Sequence, residues 1–493
     1  PGHERFVKSM VAGATGIDLV VLAIAADEGV MPQTREHVAI CDLLGVRRGI
    51  VALTKRDVVD AEWLAMVSGD VRAALASTFL EDAPLVPVSA KTGAGLDALR
   101  AAIAEALDAL PPRDGGGVFR LPIDRVFTVK GFGTVATGTV QGGEVRAGDA
   151  LVVIPTDKPA RVRGLEVHGE AVATARAGHR VALNLGGLAV EELARGDVLV
   201  HPGHVAGSHL IDVELRYLAA ASGPLPPRVK VLVHHGTAQL EATLVLLDKQ
   251  PRAPGATALA QLRLDRRTPL AALPGDHFIV RGFVASPASG STIAGGRVIR
   301  VLAPKARRAA AHAEAVTALA GARLDQRVAL ELAGARAAGL TAGALGQRLG
   351  LTPDALAAPL ARLARAGEVL AAGEHLLHAA TVAELERRIT EALRDPDGLA
   401  REVLRAHVPA AVPVRAFDAI LDGLDRRGAL VIAGDRVRGP AAPATGALTP
   451  TETAVLDALA GAGVEPPRPK ELPAALQLRD APIKAALDRL VAD

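Results

Sequence analysis

Three long apolar runs separated by amphipathic stretches constrain residues 1–112 more than any other feature of the chain. IDLVVLAIAADEG, GIVALTKRDVVD and PLVPVSA read as strands; QTREHVAICDLLGV, AEWLAMVSGDVRAALASTFL and GLDALRAAIAEALDAL read as the helices that alternate with them. A strand that is apolar along its length is buried on both faces, so the alternation predicts a parallel sheet covered by helices, an α/β domain over 1–112. Ligands of such sheets bind at the carboxyl ends of the strands. Two polar groups stand there: Thr54-Lys55-Arg56-Asp57 after the second run and Ser89-Ala90-Lys91 after the third.

These groups fit a guanine base. A carboxylate at Asp57 accepts hydrogen bonds from N1 and N2, the Lys55 stem lies over the ring, and the Ala90 N–H donates to O6. Adenine presents the opposite pattern and leaves Asp57 unpaired, a mismatch worth on the order of 10⁴-fold in selectivity. Taken singly, the first group reads as a charged strand-end turn and the second as a helix cap. In order on successive strands, they describe a base pocket.

Beyond a hinge at LPPRDGGGVFR the pattern changes to short alternating strands with glycine turns, as in LPIDRVFTVKGFGTVATGTVQGGEVRAGDALVVIP. Two antiparallel β-barrels are predicted, at 119–203 and 204–303. From about residue 305 the chain is Ala-rich and helical, with a repeat. An offset of 61 aligns Leu360 with Leu421, Leu363 with Leu424 and Gly373 with Gly434, each copy reading as a helix followed by a two-stranded hairpin. With the short helices before them, these describe winged helices at 305–380 and 381–440. A third copy at 447–493 aligns Leu487 and Leu490 with Leu421 and Leu424 and reads as incomplete, ending before its wing.

Composition narrows the class. The formal net charge of +2 on 493 residues excludes a chain coated in basic charge. The one cysteine, Cys41, lies in a helical pattern and has no internal disulfide partner, which fits a reducing cytoplasm. The apolar stretch Ile17–Ala26 is far shorter than the ~20 residues of a membrane span, so no membrane partner is expected. His234-His235 looks like a metal pair, but neighbours on a strand face opposite sides; both are read as structural and no metal ligands are assigned.

In spacing and text the chain resembles the translational GTPases, and among them most the selenocysteine-specific elongation factor family, over essentially its whole length. FRLPIDRVFTVKGFGTVATGTV and AGHRVALNL carry the specific match. In that superfamily a strand ends in Asp-x-Pro-Gly-His, so the resemblance implies that Pro1-Gly2-His3 is the tail of this motif. Gly2 would then bind the γ-phosphate through its N–H, and His3 would be the catalytic residue that orients the attacking water. GTP and Mg²⁺ are implied as cofactors. The phosphate loop and magnesium ligands are expected upstream, so both ends read as truncated and the fragment alone as inactive. Thr54 departs from the family's usual Asn, which weakens the tie to the phosphate loop without touching the Asp57 readout.

In the family the first barrel holds the aminoacyl end of the tRNA. Asp124 and Arg125 in PIDR and Arg180 in AGHR match those positions. Their spacing alone reads as a salt bridge on a barrel rim; the resemblance implies a pocket whose fixed guanidinium charges prefer a selenolate to a neutral hydroxyl. The implied function is delivery of selenocysteyl-tRNA to the ribosome at recoded UGA codons by a cytoplasmic, monomeric GTPase. A further winged helix after residue 493 would grip a hairpin in the messenger RNA. Arg405, Arg415, Arg426, Arg427 and Arg436 offer RNA contacts on the copies present, but arginines on helices are more often solvated, and a spacer role is expected. Two rivals are a general elongation or initiation GTPase and a winged-helix nucleic-acid-binding protein on a non-catalytic scaffold. The TKRD, SAK and PGH series favours an enzyme; Arg125 with Arg180 and the winged tail favour the specialised branch.

Overall fold

The computed structural model describes residues 16–110, 116–131, 133–286, 290–307, 309–393, 398–439, 448–462 and 467–492. Gly2 and His3 lie outside the described residues, as does part of the hinge. The chain forms two compact units, Pro1–Val382 and Ala383–Asp493.

The first unit opens with β1 (Leu19–Ala25), α1 (Pro32–Leu43), β2 (Arg48–Thr54), α2 (Ala61–Leu75), β3 (Leu85–Pro87) and α3 (Leu96–Asp108). The strands are parallel in the order β1-β2-β3. Ile24, Val51 and Leu53 pack against Val38 of α1 and Val67, Val71 and Leu75 of α2. Burial on both faces holds for the central strand, where Ile50 to Leu53 are all buried; among the described residues β1 is an edge of this sheet and leaves Val21 41% exposed. The register sets Ala25 beside Thr54 and Leu53 beside Pro87, so the three carboxyl ends meet at one level.

Asp60 caps α2, its Oδ1 accepting from the Trp63 N–H at 2.8 Å. Removing an N-cap leaves an N–H of the first turn without its side-chain acceptor. Asp60→Ala is therefore expected to lower stability by about 1 kcal/mol, read as a shifted midpoint at constant slope in a denaturant melt.

Two closed antiparallel barrels follow. In the first, Arg120–Val129, Gly133–Thr139, Arg180–Gly186, Lys158–Val167, Ala150–Ile154 and Val198–Val200 form a ring around Leu121, Ile123, Leu151, Leu183 and Leu199. The second runs Leu210–Tyr217, Thr257–Leu264, Ala238–Leu246, Arg228–His235, His277–Ser286 and Gly290–Arg300. Alternation of apolar and polar residues drives both, one side of each strand filling the interior. A buried ion network joins them. Arg120 of the first barrel donates to both oxygens of Asp276 in the second, at 2.5 and 2.7 Å, and the His235 ring lies 2.9 Å from the same carboxylate. Burial opposes ionisation of Asp276, but Arg120 and His235 outweigh it and hold its pKa well below the usual range. His234 and His235 are both buried, because the strand is covered on its outer side as well.

Helices Leu324–Ala335, Ala342–Leu349 and Pro353–Arg365 pack on a three-stranded sheet of Leu340–Thr341, Val369–Ala372 and His375–His378, a winged helix. The preceding helix, Ala309–Gly321, instead sets Val316 and Leu319 against Leu247 and Ile299 of the second barrel. By packing, the opening of the segment 305–380 therefore belongs with the barrel. A single helix, Ala379–Ala392, runs through residue 381, where a domain boundary is expected. Its buried residues are Leu385 and Ile389.

The second unit repeats the arrangement. Arg401–Arg405 and Val414–Arg426 pack with the strands Leu399–Ala400, Val431–Ala433 and Arg436–Arg438. The aligned glycines turn the two hairpins alike, with φ of 61° at Gly373 and 64° at Gly434. Helices Pro450–Gly461, Leu472–Leu476 and Asp480–Ala492 form the third copy around Val455, Leu472 and Ile483. Several of the tail arginines serve their own fold: Arg405 donates to the Val412 carbonyl and lies over Phe417, Arg427 pairs with Glu386, and Arg436 donates to the Gly398 carbonyl. Among the described residues, no helix is long and apolar enough to cross a membrane.

Candidate functional site

The ends of β1, β2 and β3 build one polar shelf. The Thr54 hydroxyl, last in β2, donates to the Ile24 carbonyl of β1 at 3.2 Å. Lys55 then leaves the strand in the left-handed region, with φ 58° and ψ 30°. A lysine adopts this conformation only where its surroundings hold it. Its ammonium reaches back to the turn after β1, 3.1 and 3.0 Å from the two oxygens of Asp27 and 3.2 Å from Glu28 Oε1. These hydrogen bonds raise the Lys55 pKa, those to Asp27 most.

Asp57 stands on the short 3₁₀ turn that follows and is exposed. The nearby Ser89 side chain is the main cause holding its pKa below the ordinary value, with its own backbone N–H and then the Lys91 charge adding to it. Asp57 is thus a carboxylate at neutral pH, an acceptor on both oxygens. Ser89 is fully buried, and its hydroxyl also accepts from the Thr92 N–H at 3.1 Å. The Ser89 N–H donates to Ala94, and the Arg56 N–H donates to Val88, linking the two loops. Gly95 closes the second loop with φ 80°; a Cβ there would stand 2.2 Å from the Pro87 carbonyl oxygen, so the turn admits only glycine. Ala90 and Lys91 are exposed beside Asp57's partner. The structure thus brings together Thr54, Lys55, Asp57, Ser89, Ala90 and Lys91.

Asp27 and Glu28 belong to the same shelf, and no motif pointed to them. Their one signal is position, directly after an apolar strand run in a parallel sheet.

The second group lies on the first barrel. Arg180 donates through Nη1 to Asp124 Oδ2 at 2.6 Å and through Nη2 to Oδ1 at 3.2 Å, and the Thr137 hydroxyl donates to Oδ1 at 2.7 Å. The pairing of Arg120–Val129 with Gly133–Thr139 shifts between Ile123 and Arg125, so Asp124 sits in a bulge. Beyond it Arg125 lies opposite Thr137, and Arg180 lies opposite Thr139. Residues two apart on a strand share a face. Arg125 and Arg180 therefore flank one strand on its outer side, opposite to the buried Ile123.

Comparison with known proteins agrees with this layout. The family of the elongation factor Tu GTP binding domain matches residues 1–109, that of elongation factor Tu domain 2 matches 133–200, and that of the selenocysteine-specific elongation factor beta-barrel domain matches 212–305. The selenocysteine-specific elongation factor of Desulfomicrobium baculatum is 49% identical over 70% of this chain and 54% of its own length. That of Escherichia coli is 36% identical over 82% of this chain and 63% of its own length. The chain thus spans between half and two thirds of these relatives. Elongation factor Tu 2 of Streptomyces avermitilis is 34% identical over 61% of this chain and 78% of its own length. Among solved structures, a bacterial selenocysteine-specific elongation factor EF-Sec shares the fold, with a TM-score of 0.72 over 99% of this chain and 77% of that one at 24% identity. Elongation factor SelB of Methanococcus maripaludis, in complex with the GTP analogue GPPNHP, gives a TM-score of 0.55 over 60% and 69% at 28% identity. The chain belongs to the selenocysteine-specific elongation factor family of the translational GTPases.

Proposed function

We propose that this chain forms the base-reading and aminoacyl-reading parts of a GTP-dependent factor that delivers selenocysteyl-tRNA to the ribosome at recoded UGA codons. The observation that carries the proposal is the barrel face on which Asp124 clamps Arg180 beside Arg125, in one chain with the Asp57–Ser89 shelf. Guanine fits that shelf. The ionised Asp57 accepts from the base edge, Ser89 fixes its direction, the Lys55 stem covers the ring, and the Ala90 N–H meets O6. GTP, when bound, supplies the phosphoanhydride whose hydrolysis ends the delivery step. Gly2 and His3 are assigned to its γ-phosphate and attacking water, and Mg²⁺ to ligands upstream of Pro1. The 493 residues alone are expected not to turn over GTP.

At the barrel, Asp124 engages two of the five guanidinium N–H donors of Arg180 and leaves the others for a ligand. A selenol ionises far more readily than a serine hydroxyl, so two positive charges, that of Arg180 held by Asp124, favour selenocysteine by charge-assisted hydrogen bonds. The factor is read as a cytoplasmic monomer, with messenger RNA gripped by a winged helix beyond residue 493 and the described copies serving as spacers.

Filter retention of selenocysteyl-tRNA and seryl-tRNA by the full-length factor, with GTP and with GDP, tests the proposal. Retention that needs GTP and favours the selenocysteyl form is expected. Equal retention of both would point to a general elongation factor, and nucleotide-independent binding to a winged-helix protein on a scaffold.

A further inference from the structure

We infer that Asp27 and Glu28 are positioning residues of the base pocket, their carboxylates drawing the Lys55 ammonium toward β1 so that the lysine stem lies across the place of the guanine ring. The inference rests on the guanine reading of the shelf and extends it to the strand that contributes no motif. Three observations carry it. The ammonium stands within 3.2 Å of both carboxylates. Lys55 holds a left-handed backbone conformation, which turns its side chain out of the strand's alternation toward the neighbouring turn. That turn is itself built to stay in place: the N–H groups of Glu28 and Gly29 donate to the Ala25 carbonyl, and the Trp63 indole donates to the Ala26 carbonyl at 2.9 Å from α2.

Stability does not account for the arrangement. Lys55, Asp27 and Glu28 are all substantially exposed, and exposed ion pairs contribute little to folding. One carboxylate would neutralise the ammonium, yet two converge on it. Two acceptors fix the direction of a flexible four-carbon stem where one would leave it free to pivot. Preorganising that stem lowers the entropy lost when a base stacks on it.

The test is a double-mutant cycle in the full-length factor, with fluorescent GDP and GTP as probes. Asp27→Asn with Glu28→Gln should weaken both nucleotides three- to fivefold, chiefly through faster dissociation, and each single substitution less. The charge-conserving pair Asp27→Glu and Glu28→Asp should restore most of the affinity. In a Lys55→Ala background the same neutral pair should have no further effect, because the carboxylates act only through the ammonium. A full effect in that background would overturn the inference, as would normal affinity in the neutral pair while Asp57→Asn weakens GTP. Should Asp57→Asn also leave GTP binding unchanged, the base pocket itself fails, and the inference with it.

Discussion

Asp57→Asn is expected to weaken GTP binding by the full-length factor by on the order of 10²- to 10⁴-fold, because a site built to pair a specific N–H pattern is left mismatched when that pattern is reversed. Guanine offers two donors, N1–H and the N2 amino group, to one carboxylate. An amide offers one acceptor and one donor, so the N2 amino group meets the Asn amino group. Xanthine carries an oxygen at C2, which restores the match, and xanthosine triphosphate should bind the variant more tightly than GTP. Ser89 makes the exchange clean. Its hydroxyl is buried and accepts from the Thr92 N–H, and its own proton is available to the Asn oxygen. Equilibrium titration with both nucleotides reads the result, and unchanged GTP affinity would remove Asp57 from the base pocket.

The gathering of Thr54, Lys55, Asp57 and Ser89 at the strand ends is legible in the sequence because parallel sheets translate sequence directly into place. A polar tetrad after an apolar run must stand at a carboxyl end, and Asp57 and Ser89 stand on neighbouring ends. The partners of Lys55 were hidden for the same reason in reverse. Nothing in AADEG distinguishes a loop from a ligand set until the register aligns Ala25 with Thr54. On the barrel, period-two alternation sends Asp124 and Arg125 to opposite faces. The bulge at Asp124, which leaves no mark in the hydrophobic pattern, breaks that alternation and lets Asp124 reach Arg180. The Arg120–Asp276 pair joins residues 156 positions apart, and no local signal links them. Proximity in sequence places the Ala-rich helix Ala309–Gly321 with the winged helix; its small apolar side chains suit either neighbour, and the barrel wall at Leu247 and Ile299 takes them.

On the proposed reading, the arginine pair would separate selenocysteyl-tRNA from seryl-tRNA by the charge of one atom. Replacing Arg125 or Arg180 by Ala should weaken selenocysteyl-tRNA binding by about 1.5 kcal/mol, roughly tenfold, and replacing both by roughly 100-fold, if each contributes one charge-assisted contact. Seryl-tRNA on the same tRNA body should hardly respond, since a neutral hydroxyl gains little from a guanidinium. Asp124 makes the two positions unequal. Arg180→Ala leaves a carboxylate on the same barrel face with only the Thr137 hydroxyl as partner, and that uncompensated charge repels a selenolate, so this variant should lose more than Arg125→Ala. Lowering the pH protonates the selenol and should erode the wild-type preference, and the double variant should show no such response. Binding isotherms for both aminoacyl-tRNAs across pH supply the reading. Equal losses for the two, at every pH, would mean that the arginines contact the tRNA backbone, and the selenium-reading charge would then have to lie elsewhere on the barrel.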